Sequence, residues 1–351
     1  MNILKTMFSV CLFGSASLAS AQIPIKQMTT MAEVSKELSS AKTLEIDTKF
    51  SKVSFIKAEG QTAVINGKLE AMQESDAYKI NIDEVGTTAT LSIEVPTDPK
   101  SAYAGDFTIE VPADVVINFK GTSGLVCVSD LADCKINIET VKGRVEAKNS
   151  AGDISITTKN GDITGTGIKG HITASTSTGN ITFKNSEGEL TLDSSDGAIM
   201  LNGVTGTVST KTIAGTQTLE GINGTIQLAG STGAIKVSKS EGVINAKTKN
   251  ATINFFNYKG EMHIETEKGQ IVSAGSANGI KLTASSDFTT TEGKINVTLL
   301  NTIDELTFDI ASESSQVGLI AKKNSKKKKL KTGSGPIVVT GRTRTGGQVY
   351  K

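Results

Sequence analysis

Residues 152–172 read GDISITTKNGDITGTGIKGHI, and the spacing within this stretch decides the fold. Gly152, Gly161 and Gly170 are nine residues apart, and Ile154, Ile163 and Ile172 each follow a glycine by two. Working outward, glycine holds every ninth position from Gly143 to Gly269, with only Ala251 breaking the series. The position two residues on stays apolar from Val145 through Ile181, Leu190, Ile199, Val208, Ile226, Ile235, Ile244, Ile253 and Met262 to Ile271, with Gln217 as the exception.

An α-helix cannot use this pattern. Nine residues at about 100° each place successive isoleucines on opposite sides of a helix. An unbroken strand fails too, because its side-chain period is two and an odd repeat reverses the inward face at every step. The chain must therefore reset its phase every nine residues, and glycine at a corner allows the φ > 0 conformations of a sharp bend. The sixth residue after each glycine position separates two kinds of corner. One set is Thr140, Thr158, Thr176, Ser194, Thr212, Gly230, Thr248 and Thr266; the interleaved set is Asn149, Gly167, Asn185, Gly203, Gly221, Lys239, Asn257 and Gly275. Hydroxyls that bond local backbone alternate with residues that tolerate a left-handed turn. The true repeat is then a pair of nine-residue units. The expected fold is all-β: a single-stranded parallel β-helix, right-handed as parallel crossovers are, with about 18 residues per coil and coils about 4.8 Å apart. Two sides per coil, or three unequal ones, fit the spacing.

The flanks alternate without the nine-residue phase. LEIDTKF, KVSFIKA, YKINIDE and TATLSIEV before the repeat, and KINVTLL, ELTFDIA and QVGLIAK after it, read as strands. Pro96, Pro99 and Pro112 confine the first group to edges and turns. Thr30 and Glu33 form a helix-start pattern, so 22–43 is expected as a linker or a short capping helix from Met31 to about Ser39. The expected organisation continues with an N-terminal β region over 44–133, the β-helix over 134–300, a C-terminal β cap over 301–321 and a basic tail over 322–351. IVVTGRTRTGGQVYK, within that tail, is read as a final strand or a mobile end.

The first residues have the layout of a secretory signal. Lys5 precedes an apolar stretch from Met7 to Phe13, and Ala19-Ser20-Ala21 ends in a cleavage pattern before Gln22. The chain is expected to be exported, to the periplasm, the cell surface or the medium, with no transmembrane segment in its mature part. Cys11 lies in the signal, leaving Cys127 and Cys134 either to pair across a short loop or to sit as thiols on neighbouring strands. With 35 Gly, no Trp and few aromatics, the composition is not that of an enzyme with a deep apolar pocket.

The Val111-Pro112-Ala113-Asp114 segment, followed by Gly-Asp-Ile units at Gly152-Asp153-Ile154 and Gly161-Asp162-Ile163, resembles the putative-adhesin β-strand-repeat family of exported bacterial proteins. The resemblance covers most of Leu44 to about Val297. It implies a fold and brings no catalytic residues.

The remaining polar residues offer little concentrated chemistry. Asp153, Asp162, Asp193 and Asp196 are the closest acidic grouping, and the first two sit at corners where a solvated turn role explains them. Repeated calcium binding needs six to eight oxygens per ion, and single phased glycines without a recurring Asp do not assemble them. His171 and His263 occupy different positions in their units, so no metal, cofactor or catalytic role is expected. The outward positions Thr173, Thr191, Ser209, Gln227, Asn245 and His263 are polar without forming a threonine array. From Gln22 to Ala321 there are 26 basic and 36 acidic side chains; from Lys322 on there are ten basic and none acidic. Lys322, Lys323, Lys326, Lys327, Lys328, Lys329 and Lys331 are therefore candidates for binding an anionic envelope component, or else a solvated stretch that guards the last strand. Nucleic acid is not expected. The expected function is a structural and adhesive envelope or secreted protein, not an enzyme, with a cell-surface or polysaccharide ligand. A carbohydrate-active β-helix acting on acidic polysaccharide and a self-assembling envelope scaffold are the alternatives.

Overall fold

The computed structural model describes residues 28–96, 102–273, 278–319 and 328–351, and throughout these the chain is all-β. Residues 1–27, with the expected signal and Cys11, lie outside them. Among the described residues the single helical element is a 3-10 turn at Ile303–Glu305. No helix among them is long and apolar enough to cross a membrane.

The strands form one long, mostly parallel sheet whose register repeats the sequence period. In one ladder Cys134–Thr140 pairs with Ala151–Thr158, then Lys169–Thr176, and onward to Tyr258–Thr266, so that Ile136 is followed by Ile154, Ile172 and Leu190, two nine-residue units at a time. In the other, Val145 is followed by Ile163, Ile181, Ile199, Gln217, Ile235, Ile253 and Ile271 at the same step. Side chains alternate in and out along each strand, so these columns face one shared core. Apart from Gln217 they are apolar and at most 2% exposed. Burying each contributes roughly 1.5–3 kcal/mol, so the stack as a whole, rather than any one contact, carries the stability. A third inward row, Ile168, Ser186, Val204, Ile222, Ser240 and Tyr258, lies just after the Asn/Gly corner and is also buried.

Both kinds of corner are formed. Asn149, Gly167, Asn185, Gly203, Gly221, Lys239 and Asn257 all have φ between 48° and 67°, the left-handed turn that Asn and Gly favour and that Lys239 adopts without that preference. At the other corner the Thr140, Thr158, Thr176 and Ser194 hydroxyls accept the N–H of the glycine three residues on at 2.9–3.0 Å. Thr176 and Ser194 in turn donate to Gly161 and Gly179, one level back, at 3.2 and 3.1 Å. The pattern lapses at Thr248, whose Oγ1 is the one buried side-chain polar atom without a partner among the described residues; three residues on stands Ala251, where the glycine series breaks.

Both sets of phased glycines let stacked backbones approach, since a Cβ at Gly188 would lie 2.1 Å from Gly170 O, and one set also supplies a positive φ. Gly188 has φ +125° and supplies the permissive backbone. Gly197 has no positive φ, but a Cβ there would lie 1.8 Å from the carbonyl oxygen of Gly179. Its role is to let stacked backbones approach.

At both ends the chain departs from simple stacking. Thr43–Thr48 lies between Thr88–Glu94 and Val116–Gly121, and Ser51–Lys57 lies between Tyr103–Val111 and Gly124–Ser129. At the other end Ile337–Thr343 is inserted between Ser286–Thr290 and Leu306–Ser312, and Gln348–Tyr350 between Ile295–Val297 and Val317–Leu319. The outermost strands are antiparallel: Thr29–Leu38 and Lys79–Val85 at the first end, Lys329–Gly333 at the last.

Two expectations are corrected here. The segment proposed as a capping helix from Met31 is the strand Thr29–Leu38, paired with Ala63–Ala71. Its alternation, with Val34 and Lys36 half-buried and Glu33, Ser35 and Glu37 exposed, fits the sheet edge, and a ladder of hydrogen bonds there outweighs a helix-start pattern. The stretch from Lys328 on is no separate tail: Val339 and Tyr350 are buried at 0% and 1%. Its alternating apolar residues complete the core, so of the two readings of its end the final strand holds.

Candidate functional site

Because each strand stands two units along the chain from its neighbour, outward side chains line up in rows. On the longer strands one row runs Asn137, Ser155, Thr173, Thr191, Ser209, Gln227, Asn245, His263 and Asp287, continuing from Asn118. It is polar at every level and uncharged until His263. At its beginning the row is hydrogen-bonded lengthwise: Asn137 donates to Asn118 at 2.7 Å, and Asn118 to Glu45 at 2.7 Å. Beside it a second row carries Asp193 and Lys211, 3.4 Å apart, then Ala229, then Lys247 and Glu265, 3.1 Å apart. The small Ala229 between two lysines helps open a shallow groove of about 570 Å³, lined by Ser209, Lys211, Gln227, Asn245, Lys247 and His263 among others.

Both histidines lie between carboxylates supplied by neighbouring strands or by their own. His171 Nδ1 is 3.3 Å from Asp153 and its Nε2 3.7 Å from Glu189, an exposed arrangement. His263 is tighter, with Nδ1 hydrogen-bonded to Asp287 and Nε2 2.8 Å from Glu261. The Asp287 hydrogen bond raises the His263 pKa above its ordinary value and Glu261 adds to this, while partial burial opposes both. These clusters follow from the register, which places Asp153, His171 and Glu189 in one column.

The acidic residues singled out in the sequence do not converge. Asp153 faces His171, and Asp193 faces Lys211 from a different row. Asp162 accepts the backbone N–H of Asn180 at 2.8 Å, and Asn180 Oδ1 accepts that of Ala198 at 2.9 Å, so both act as corner supports. Asp196 is held at the same kind of corner, its N–H donating to Ser177 O at 2.9 Å. Among the described residues no group of three or more His, Cys, Asp or Glu is placed to hold a metal ion.

The two cysteines face opposite ways. Cys134 is buried at the start of its strand, where burial raises its thiol pKa. Cys127 alternates with the inward-facing Val126 and Val128 and points to the outside. They stand on strands of different ladders. Of the basic run, Lys322, Lys323, Lys326 and Lys327 lie outside the described residues. Lys328 precedes the edge strand Lys329–Gly333, and Lys328, Lys329 and Lys331 are all exposed.

Sequence reasoning missed two buried glutamines. Gln217 replaces an inward isoleucine and is 0% exposed. Its Oε1 accepts from Thr210 at 2.6 Å, and its Nε2 donates to Thr212 Oγ1 and Ala229 O at 2.9 and 2.7 Å. Gln348, also fully buried, donates to Ala311 O at 2.6 Å and accepts from Tyr350 OH at 3.1 Å. The break of the apolar column at Gln217 was the signal for the first.

No family model matches the chain. No curated protein matches it either. Among solved structures it is similar to a putative cell adhesion protein from Clostridium sporogenes, at 8% identity and a TM-score of 0.20, over 91% of this chain and 99% of that one. A TM-score at that level carries no argument for a shared fold or role.

Proposed function

We propose that the chain is an exported, non-catalytic structural and adhesive protein: a single-stranded, right-handed parallel β-helix with two nine-residue units per coil, whose long polar face makes repeated weak contacts with a polysaccharide or another cell-envelope polymer. The observation that carries this reading is the polar row from Asn137 to Asn245, repeated at every level of the ladder. Neighbouring levels are about 4.8 Å apart, so the row offers hydroxyl and amide groups at a fixed short spacing. A polymer with recurring hydroxyls or carboxylates meets many such groups at once, and multiplicity compensates for the weakness of each contact. The sequence resemblance to exported adhesin-like repeat proteins and the secretory pattern of residues 1–21 support the same reading. Lys211 and Lys247 at the groove are paired with Asp193 and Glu265, so the hydroxyl and amide groups of the row, rather than net charge, supply the contacts.

The test is a binding series of the mature chain with purified cell envelopes and with acidic and neutral polysaccharides, alongside Ser209→Leu and Gln227→Leu, which remove hydrogen-bonding groups from the row without adding charge. Retention by a polysaccharide or envelope polymer, lost in both variants while the fold is kept, supports the proposal. Absence of retention at low salt, or retention unchanged by the substitutions, contradicts it. Depolymerisation of an acidic polysaccharide that disappears in Asp153→Asn or Asp193→Asn would replace it with an enzymatic reading.

A further inference from the structure

The two ends of the sheet differ in charge while sharing a ladder. The ladder that begins with Lys79–Val85 continues through Thr88–Glu94 and Thr43–Thr48, along the body, and ends in Leu306–Ser312 and Lys329–Gly333. Its first and last strands both run antiparallel to the strand they cover. At the first end, Thr29–Leu38 and residues 72–85 carry six acidic side chains against two basic ones. Of these, Glu33, Glu37, Glu74, Asp76, Asp83 and Glu84 are all exposed. Both lysines are already engaged, Lys36 with Glu84 at 3.2 Å and Lys79 with Glu94 at 3.6 Å. At the last end, residues 328–333 hold Lys328, Lys329 and Lys331, all exposed, and no acid.

We propose that these ends dock on each other, so that the acidic end of one molecule receives the Lys329–Gly333 edge of a second copy, head to tail. Charge selects this arrangement. Joining two last ends opposes lysines to lysines, and joining two first ends opposes carboxylates to carboxylates, whereas the mixed contact pairs opposite signs. Edge strands carry unpaired backbone groups on their outer side, which adds a reason for contact. The first end is partly covered, since Lys36 Nζ donates to the carbonyl of Ile82 at 3.2 Å. The contact is therefore made chiefly through side chains and is weak and salt-sensitive. The association is heterologous, and such contacts extend into linear arrays when they do not close on themselves.

Sedimentation velocity of the mature chain over a range of protein concentrations tests this, at low salt and at roughly 0.5 M, where surface charges more than a few ångströms apart are screened. Two reversed variants accompany it, Lys328→Glu/Lys329→Glu/Lys331→Glu at one end and Glu33→Lys/Asp83→Lys at the other, with thermal unfolding confirming that each is folded. Association into progressively elongated species is expected for the wild type at low salt, weakened at least about tenfold by the higher salt or by either reversal, a change of about 1.4 kcal/mol. Mixing the two variants restores it, because each supplies the end the other lacks. A monomer at every concentration and salt overturns the proposal. So does association that survives both reversals, or a lysine reversal that abolishes binding to anionic lipid vesicles and leaves self-association unchanged.

Discussion

Phe288 pairs in register with Gly341, a residue from the last strands of the chain, and not with the Leu306–Ser312 strand that the sequence reaches first. The last segment thus returns to fill a level left open between two earlier ones. Gly341 is suited to that place because a Cβ would lie 2.1 Å from Gln348 Oε1, 2.2 Å from Tyr350 OH and 2.9 Å from Ile310 Cγ2. Gly341→Ala is expected to displace these buried, hydrogen-bonded groups and to destabilise by about 1–3 kcal/mol, as overpacking does. Equilibrium urea unfolding measures it; an unchanged midpoint would show that the level is not closed in this way.

The same geometry makes truncation costly. Removing residues 337–351 takes away Val339 and Tyr350 from the core and uncovers the strands on either side of the inserted level. The truncated chain is expected to aggregate or to lose the cooperative unfolding of its C-terminal levels, read by hydrogen exchange at Phe288 and Phe308. Exchange as slow as in the full chain would contradict this.

Inside the repeat, Ile244 is 0% exposed between Ile226 and Met262. Ile244→Ala is expected to cost about 2–5 kcal/mol from lost burial and the cavity left behind. In a stack where each level touches its neighbours, the damage is local. Hydrogen exchange should rise most at levels adjoining residue 244 and least near Ile136; a uniform rise would count against the stacked arrangement.

Gln217 and Thr210 form a buried polar pair whose members should be coupled. Thr210→Val removes the donor to Gln217 Oε1 and is expected to cost about 1–3 kcal/mol, the penalty of an unsatisfied buried group. Adding Gln217→Ile restores the apolar column and should recover much of that loss. A double-mutant cycle reports the coupling, and simple additivity would mean the hydrogen bond is unimportant.

The His263 cluster predicts a pH dependence. Its folded pKa is raised, chiefly by Asp287, so its contribution to stability is fully present below the unfolded value of about 6.5 and is lost as pH rises through the folded value. His263→Gln should flatten the stability profile of the chain across that window. Parallel profiles for the two proteins would exclude the charged pairing with Asp287 and Glu261.

Much of the body was legible because glycine and isoleucine report on the same two-unit step from two sides, one setting the close approach of backbones and the other the core. The Asn149-type corners were legible as well, since only a few residue types accept a left-handed conformation. Once that step is known, Asp153, His171 and Glu189 fall into one group by simple counting along the chain. Asp287 cannot be found in this way, because the regular step from His263 leads to Lys281, whereas the ladder pairs His263 with Asp287. The inserted terminal levels were also hidden: local alternation shows that Ile337–Thr343 is a strand, while its place between two earlier strands depends on long-range packing. Thr30 and Glu33 misled for the opposite reason, since a local helix signal carries no record of the sheet edge awaiting a partner.

The most direct test of the account is the distance between spin labels placed along the outward row, in a background with Cys127→Ser and Cys134→Ala. Labels at Thr173 paired with labels at Thr191, Ser209, Gln227 or Asn245 should separate by about 4.8 Å for each further level, in a linear series. Distances that depart from that line, or that fail to grow from Ser209 to Asn245, would contradict the stacked two-unit register on which the fold, the polar face and its proposed ligand all depend.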